Sequence, residues 1–133
     1  MSQERDQDLS QYSMRDLFRM EADGQAAILT DGLLSLERGA GDAATLESMM
    51  RAAHSIKGAA AIVGLDMVVQ LSHAMEDAFV AAQRGKLQLN PARVDVLLGG
   101  VDLIVQCARL AEADVAAWLA QHAGAINGSL GAM

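Results

Sequence analysis

Apolar residues recur along this chain at three- and four-residue steps, the spacing of helices that each bury one face. Between Tyr12 and Arg38 the series Leu17, Phe18, Ile28, Leu29, Leu33 and Leu36 predicts a long first helix with Gly24 as its weak point. Gly39-Ala40-Gly41 interrupts the pattern. Asp42 is a good N-cap for a second helix running to Val63, with Leu46, Met49, Ala53, Ile56, Ala60 and Val63 on one stripe. After Gly64 a third helix, over about 65–84, carries Val68, Leu71, Met75, Ala78 and Ala82 and stops at Gly85. Asn90-Pro91 supplies an N-cap and a first-turn proline for a fourth helix reaching about Leu110, with Val94, Leu97, Leu98, Val101, Ile104 and Val105 inward. A shorter fifth helix follows with Val115, Trp118, Leu119 and Ile126. Gly99-Gly100 weakens the fourth helix by up to about 1 kcal/mol per residue relative to Ala, which packing must offset.

Short connections between helices of about twenty residues place consecutive helices antiparallel. The fold class is therefore all-α: an up-and-down antiparallel four-helix bundle with an additional C-terminal helix. The helical domain is expected over residues 12–127. Residues 1–11 read as a flexible lead-in, and 128–133, small and polar, as a flexible tail or the start of an interdomain linker.

Composition agrees and narrows the function. Aromatics are 3% and proline occurs once, so intrinsic preference is helical, while 52% hydrophobic residues exclude a disordered chain. Ten basic against seventeen acidic residues leave a net charge of −7, which disfavours nucleic acid and anionic membrane surfaces as partners. The single Cys107 cannot form an internal disulfide and reads as a small core residue. The polar, acidic N-terminus has no signal-peptide character, and no stretch approaches the roughly 18 apolar residues of a membrane span. A cytoplasmic location is the expectation. The eight methionines read as core fillers, Trp118 as the anchor of the fifth helix, and His122 as a surface residue.

The candidate chemistry lies in Arg51-Ala52-Ala53-His54-Ser55-Ile56-Lys57-Gly58. His54 sits about 100° off the core stripe, at the surface or the edge of a groove, in the company of Glu47, Arg51, Lys57, Gly58 and Ala61. Lys57 is one turn on, about 5 Å along the axis. Gly58 in mid-helix costs stability with no evident packing return, which invites a functional reason. On the third helix His73 and Glu76 share a face. Residues 54 and 76 stand at similar distances from the turn at Gly64, so a tight hairpin brings them to nearly the same height. Glu76 can then accept a hydrogen bond from one nitrogen of His54, fix its tautomer and leave the other nitrogen as a nucleophile. Such an imidazole is a good phosphoryl acceptor. Lys57 would offset the charge of the incoming phosphoryl oxygens, and Gly58 would admit a partner closely.

These residues resemble the phosphoacceptor motif of histidine phosphotransfer (HPt) domains, specifically the N-terminal HPt domain of CheA-type chemotaxis kinases. His73-Ala74-Met75-Glu76 is similar to the family's second segment, and Arg84-Gly85 with Leu89-Asn90 to the turn that follows. The resemblance runs from about Leu17 to Leu110. It implies that His54 is the phosphorylated residue, that Glu76 orients its ring, that Lys57 stabilises the phosphoryl group and that His73 is auxiliary. Gly58, Arg51 and Ala61 would form the docking surface. Two positions depart from the pattern: Ala59 stands where a second glycine is frequent, and Ile62-Val63 where a phenylalanine is common.

No glycine-rich ATP lid or asparagine-rich nucleotide box is present, so the chain is not expected to be catalytic alone. The resemblance implies that it binds no cofactor itself. ATP would sit on a kinase domain, expected on the same parent histidine kinase, and Mg²⁺ on a response-regulator receiver domain whose aspartate takes the phosphoryl group. A stand-alone phosphorelay protein and a non-phosphorylated helical docking module are the alternatives. A di-iron bundle is a third, but such sites use two Glu-x-x-His motifs plus two further glutamates, against one His-x-x-Glu here beside a lysine.

Overall fold

A computed structural model describes residues 12–39 and 41–133. Its helices are α1 (Met14–Glu37), α2 (Ala43–Ile62), α3 (Asp66–Gln83), α4 (Pro91–Arg109) and α5 (Val115–Ala132), with a 3₁₀ turn over Glu112–Asp114. No strand occurs among the described residues. The expected lead-in over 1–11 lies outside them.

Polar side chains start three of the helices. Ser13 and Asp16 form a reciprocal capping box at α1, the Oγ accepting from the Asp16 amide at 3.0 Å. Asp42 Oδ1 accepts from the Thr45 amide at the start of α2, and Asn90 Oδ1 from the Arg93 amide ahead of α4, each at 2.9 Å. The Thr45 amide holds the Asp42 carboxyl below its ordinary value. Gly64 (φ 73°) and Gly85 (φ 70°) adopt the left-handed conformation that ends α2 and α3 at no steric cost.

The four long inward faces meet in one core. Phe18, Ala22, Ala26, Leu29 and Leu33 come from α1, and Met49, Ala52, Ala53, Ile56 and Ala60 from α2. Val68, Leu71, Met75, Ala78 and Phe79 come from α3, and Val94, Leu97, Val101, Ile104 and Cys107 from α4. α1 packs on α2 and α4, and α2 most extensively on α3. Three of the five buried residues of α2 are alanines, so its neighbours approach closely and leave its outer flank accurately placed. Gly32 lets α1 lie against Met49, and Gly100, the buried member of the Gly99-Gly100 pair, makes room for Met75 and Met133. Close packing at Gly100 thus offsets its poor helix propensity.

Three expectations are corrected. Residues 128–132 continue α5 rather than forming a tail, and Leu130 and Met133 pack against the core. Gly128, Ser129 and Gly131 carry little helical drive of their own, and burial of those two side chains supplies it. α5 is accordingly as long as α3, though only Ile126 is fully buried in it. His122 is half-buried, its ring stacked on Trp118 with centroids 4.3 Å apart and its Nδ1 2.9 Å from the Trp118 carbonyl. Met49 and Met75 fill the core as expected, whereas Met14 and Met20 are exposed.

Candidate functional site

The α2–α3 hairpin assembles the site. With the core stripe of α2 turned inward, His54, Gly58 and Ala61 fall on its exposed flank and Lys57 at the seam with α3. Glu76 reaches across that seam from α3, only 18% exposed, and meets two donors. His54 Nδ1 lies 3.1 Å from Oε1, and Lys57 Nζ 2.7 Å from Oε2. The imidazole itself is 65% exposed. The site is therefore a solvent-facing ring held from beneath by a half-buried carboxylate.

Electrostatics determines what that contact does. Burial pushes the Glu76 carboxyl upward, but Lys57 and His54 outweigh it through their hydrogen bonds and positive charge and hold it below its ordinary value of 4.5. Glu76 is ionised at neutral pH and can only accept hydrogen bonds. Nδ1 of His54 must then carry the ring proton, and in the neutral ring Nε2 holds the free lone pair. An exposed imidazole with a fixed tautomer and an unengaged Nε2 is a nucleophile.

A stability consequence follows with a definite sign. The folded-state pKa of Glu76 is depressed, so its contribution is fully present above the unfolded-state value and is lost as pH falls through the folded-state value. Urea unfolding of the wild type and of Glu76→Gln from about pH 7 to about pH 3 should show a stability gap that closes on the acid side. A gap that persists unchanged into acid would mean that the ionised carboxylate stabilises nothing.

The other predicted residues fall in different places. Arg51 pairs with Glu47 at 2.8 Å on the exposed face of α2, one turn before His54. Ala61 is exposed, and a Cβ built on Gly58 would meet nothing within 4 Å. Lys57 is bonded to Glu76 rather than standing free to receive a phosphoryl group. His73 is not brought into the cluster: its Nε2 lies 3.1 Å from Asp77 Oδ2, one turn along the same helix. Two features escaped the sequence reading. Asp77 is one, although its four-residue spacing from His73 was the available signal. The other is an apolar groove between α1 and α2 lined by Met14, Leu17, Met20 and Ile62, with Ile62 72% exposed. Ile62 is one turn past Gly58, off the core stripe of α2.

Among the described residues no helix is long and apolar enough to cross a membrane, and no group of three or more His, Cys, Asp or Glu side chains is placed to hold a metal ion.

Comparison with known proteins identifies the family and the fold. The chemotaxis protein CheA of Borreliella burgdorferi is 33% identical over 97 residues, covering 73% of this chain and 11% of that protein. CheA of Salmonella typhimurium is 37% identical over 84 residues, covering 63% of this chain and 12% of that protein. The chain thus spans about a ninth of the length of these relatives. Among solved structures, the phosphorylated P1 domain of CheA3 in complex with CheY6 from R. sphaeroides superposes with a TM-score of 0.73 at 22% identity. The match covers 88% of this chain and 91% of that one, and shows the same fold. The family model for the Hpt domain matches residues 13–113, the span that holds the α2–α3 site and the bundle beneath it, and the chain belongs to the Hpt domain family.

Proposed function

We propose that this chain is the histidine phosphotransfer domain of a CheA-type chemosensory kinase and that His54 carries the phosphoryl group. The observation behind this reading is the hydrogen bond from His54 Nδ1 to Glu76 on an otherwise exposed ring. Nε2 attacks the γ-phosphorus of ATP held by a separate kinase domain of the parent protein. The N–P bond forms as the bond from the γ-phosphorus to the bridging oxygen breaks, and ADP leaves. Nδ1 keeps its proton, and the Glu76 carboxylate offsets the positive charge that grows on the ring. In the second half-reaction an aspartate of a receiver domain, with Mg²⁺ bound there, attacks the phosphorus and Nε2 regains its lone pair. Lys57, half-buried beside Glu76, lends positive charge to the phosphoryl oxygens in both steps. Both reactions belong to the cytoplasm.

The direct test is incubation with radiolabelled ATP and a CheA-type catalytic core. Label that is lost in acid, stable in alkali and chased onto a receiver domain with Mg²⁺ is the expected result. A chain left unlabelled by several competent kinases overturns the proposal.

Gly58 separates docking from folding. With open space around its Cα, Gly58→Leu should leave the bundle as stable or up to about 1 kcal/mol more stable, because leucine is the better helix former. The same change places a bulky side chain one turn from His54 and should slow phosphoryl transfer. Unfolding curves and transfer rates measured side by side check this, and loss of helicity would instead make Gly58 a structural residue.

A further inference from the structure

We propose that Asp77 is a positioning residue for the His54 reaction: by holding His73 it reserves Glu76 for His54. The inference rests on His54 being the phosphoacceptor. His73 stands three residues before Glu76 and four before Asp77, so both carboxylates are within reach of its ring on one helix face. Glu76 already serves two donors, His54 at Oε1 and Lys57 at Oε2. A third donor at the same carboxylate would draw on its negative charge, weaken it as an acceptor for His54 and loosen the tautomer that leaves Nε2 free. The structure gives His73 another partner, with Nε2 3.1 Å from Asp77 Oδ2. The hollow around His73 and Asp77 is completed by Val69, Gln70, Ala74 and Leu130 of α5, none of which carries charge.

The strength of the effect follows from exposure. His73 and Asp77 are 60% and 70% exposed, so their contact is screened by water and biases His73 rather than locking it. Pairs at this spacing on an exposed helix shift an equilibrium about twofold. Glu76, less exposed and less screened, is the competing acceptor once Asp77 is removed.

Four chains test this: wild type, Asp77→Ala, His73→Ala and the double variant. Asp77→Ala should lower the rate of His54 phosphorylation about twofold. The double variant should match His73→Ala, whatever the rate of His73→Ala itself, because without His73 there is nothing for Asp77 to hold. A double variant slower than His73→Ala would show that Asp77 acts by charge or by packing, and would overturn the inference. Imidazole ¹⁵N spectra of the unphosphorylated chains give a second readout. In Asp77→Ala the His54 nitrogens should move toward the mixed tautomer, and unchanged His54 nitrogens would also overturn it. Those spectra need no kinase, so a wild-type chain that takes no phosphate would sink the phosphotransfer reading while leaving the Asp77 effect measurable.

Discussion

His54→Gln should carry no phosphate at all and should fold as the wild type does. Glutamine presents an amide, whose nitrogen lone pair is delocalised onto the carbonyl and does not attack phosphorus. Its N–H can still donate to Glu76, so the half-buried carboxylate keeps a partner in place of the imidazole. The replaced ring is 65% exposed and contributes little to the core, and a surface change of this kind shifts stability by no more than about 0.5 kcal/mol. Labelling with a CheA-type core and a urea unfolding curve check the two halves. Residual acid-labile label would move the phosphoacceptor elsewhere, with His73 and His122 the remaining histidines.

Glu76→Ala should slow phosphoryl transfer by about 10²- to 10⁴-fold, the range for losing an acid–base partner or the orientation it imposes. Two losses combine in this variant. The ring is no longer held, and its proton is free to move to Nε2, where it blocks the attacking lone pair. The growing positive charge on the imidazole also loses the carboxylate that offsets it. Lys57 simultaneously loses its 2.7 Å partner and becomes free to meet phosphoryl oxygens directly, so part of the loss is returned. Receiver binding, on the docking surface proposed around Gly58, should change little. Single-turnover rates against receiver affinity separate the two, and an unchanged rate would remove the tautomer argument.

The bundle and the His54–Glu76 pair were legible in the sequence for the same reason. Both depend on helical periodicity and on where helices stop. Asp42, Gly64, Gly85 and Asn90-Pro91 mark ends that backbone chemistry dictates locally, and they set the register of the hairpin that brings residues 54 and 76 together. The role of Gly100 was half legible. Its cost could be counted from propensity, but the methyl groups of Met75 and Met133 that fill the space beside it come from other helices.

What stayed hidden were choices among partners of similar strength. His73 could bond Glu76 or Asp77, Lys57 could point to solvent or to Glu76, and the last turns of α5 could fray or pack. Each is a contest of about a kilocalorie or less, below what spacing alone resolves. By itself the sequence determined the helices, their ends and the face on which His54 stands, because these follow from interactions within a few residues and from one dominant apolar pattern. The packed bundle alone settled that Lys57 joins His54 at Glu76 and that residues 128–132 stay helical, because those outcomes depend on which side chain another helix brings within reach, whereas His73 chose between two carboxylates of its own helix.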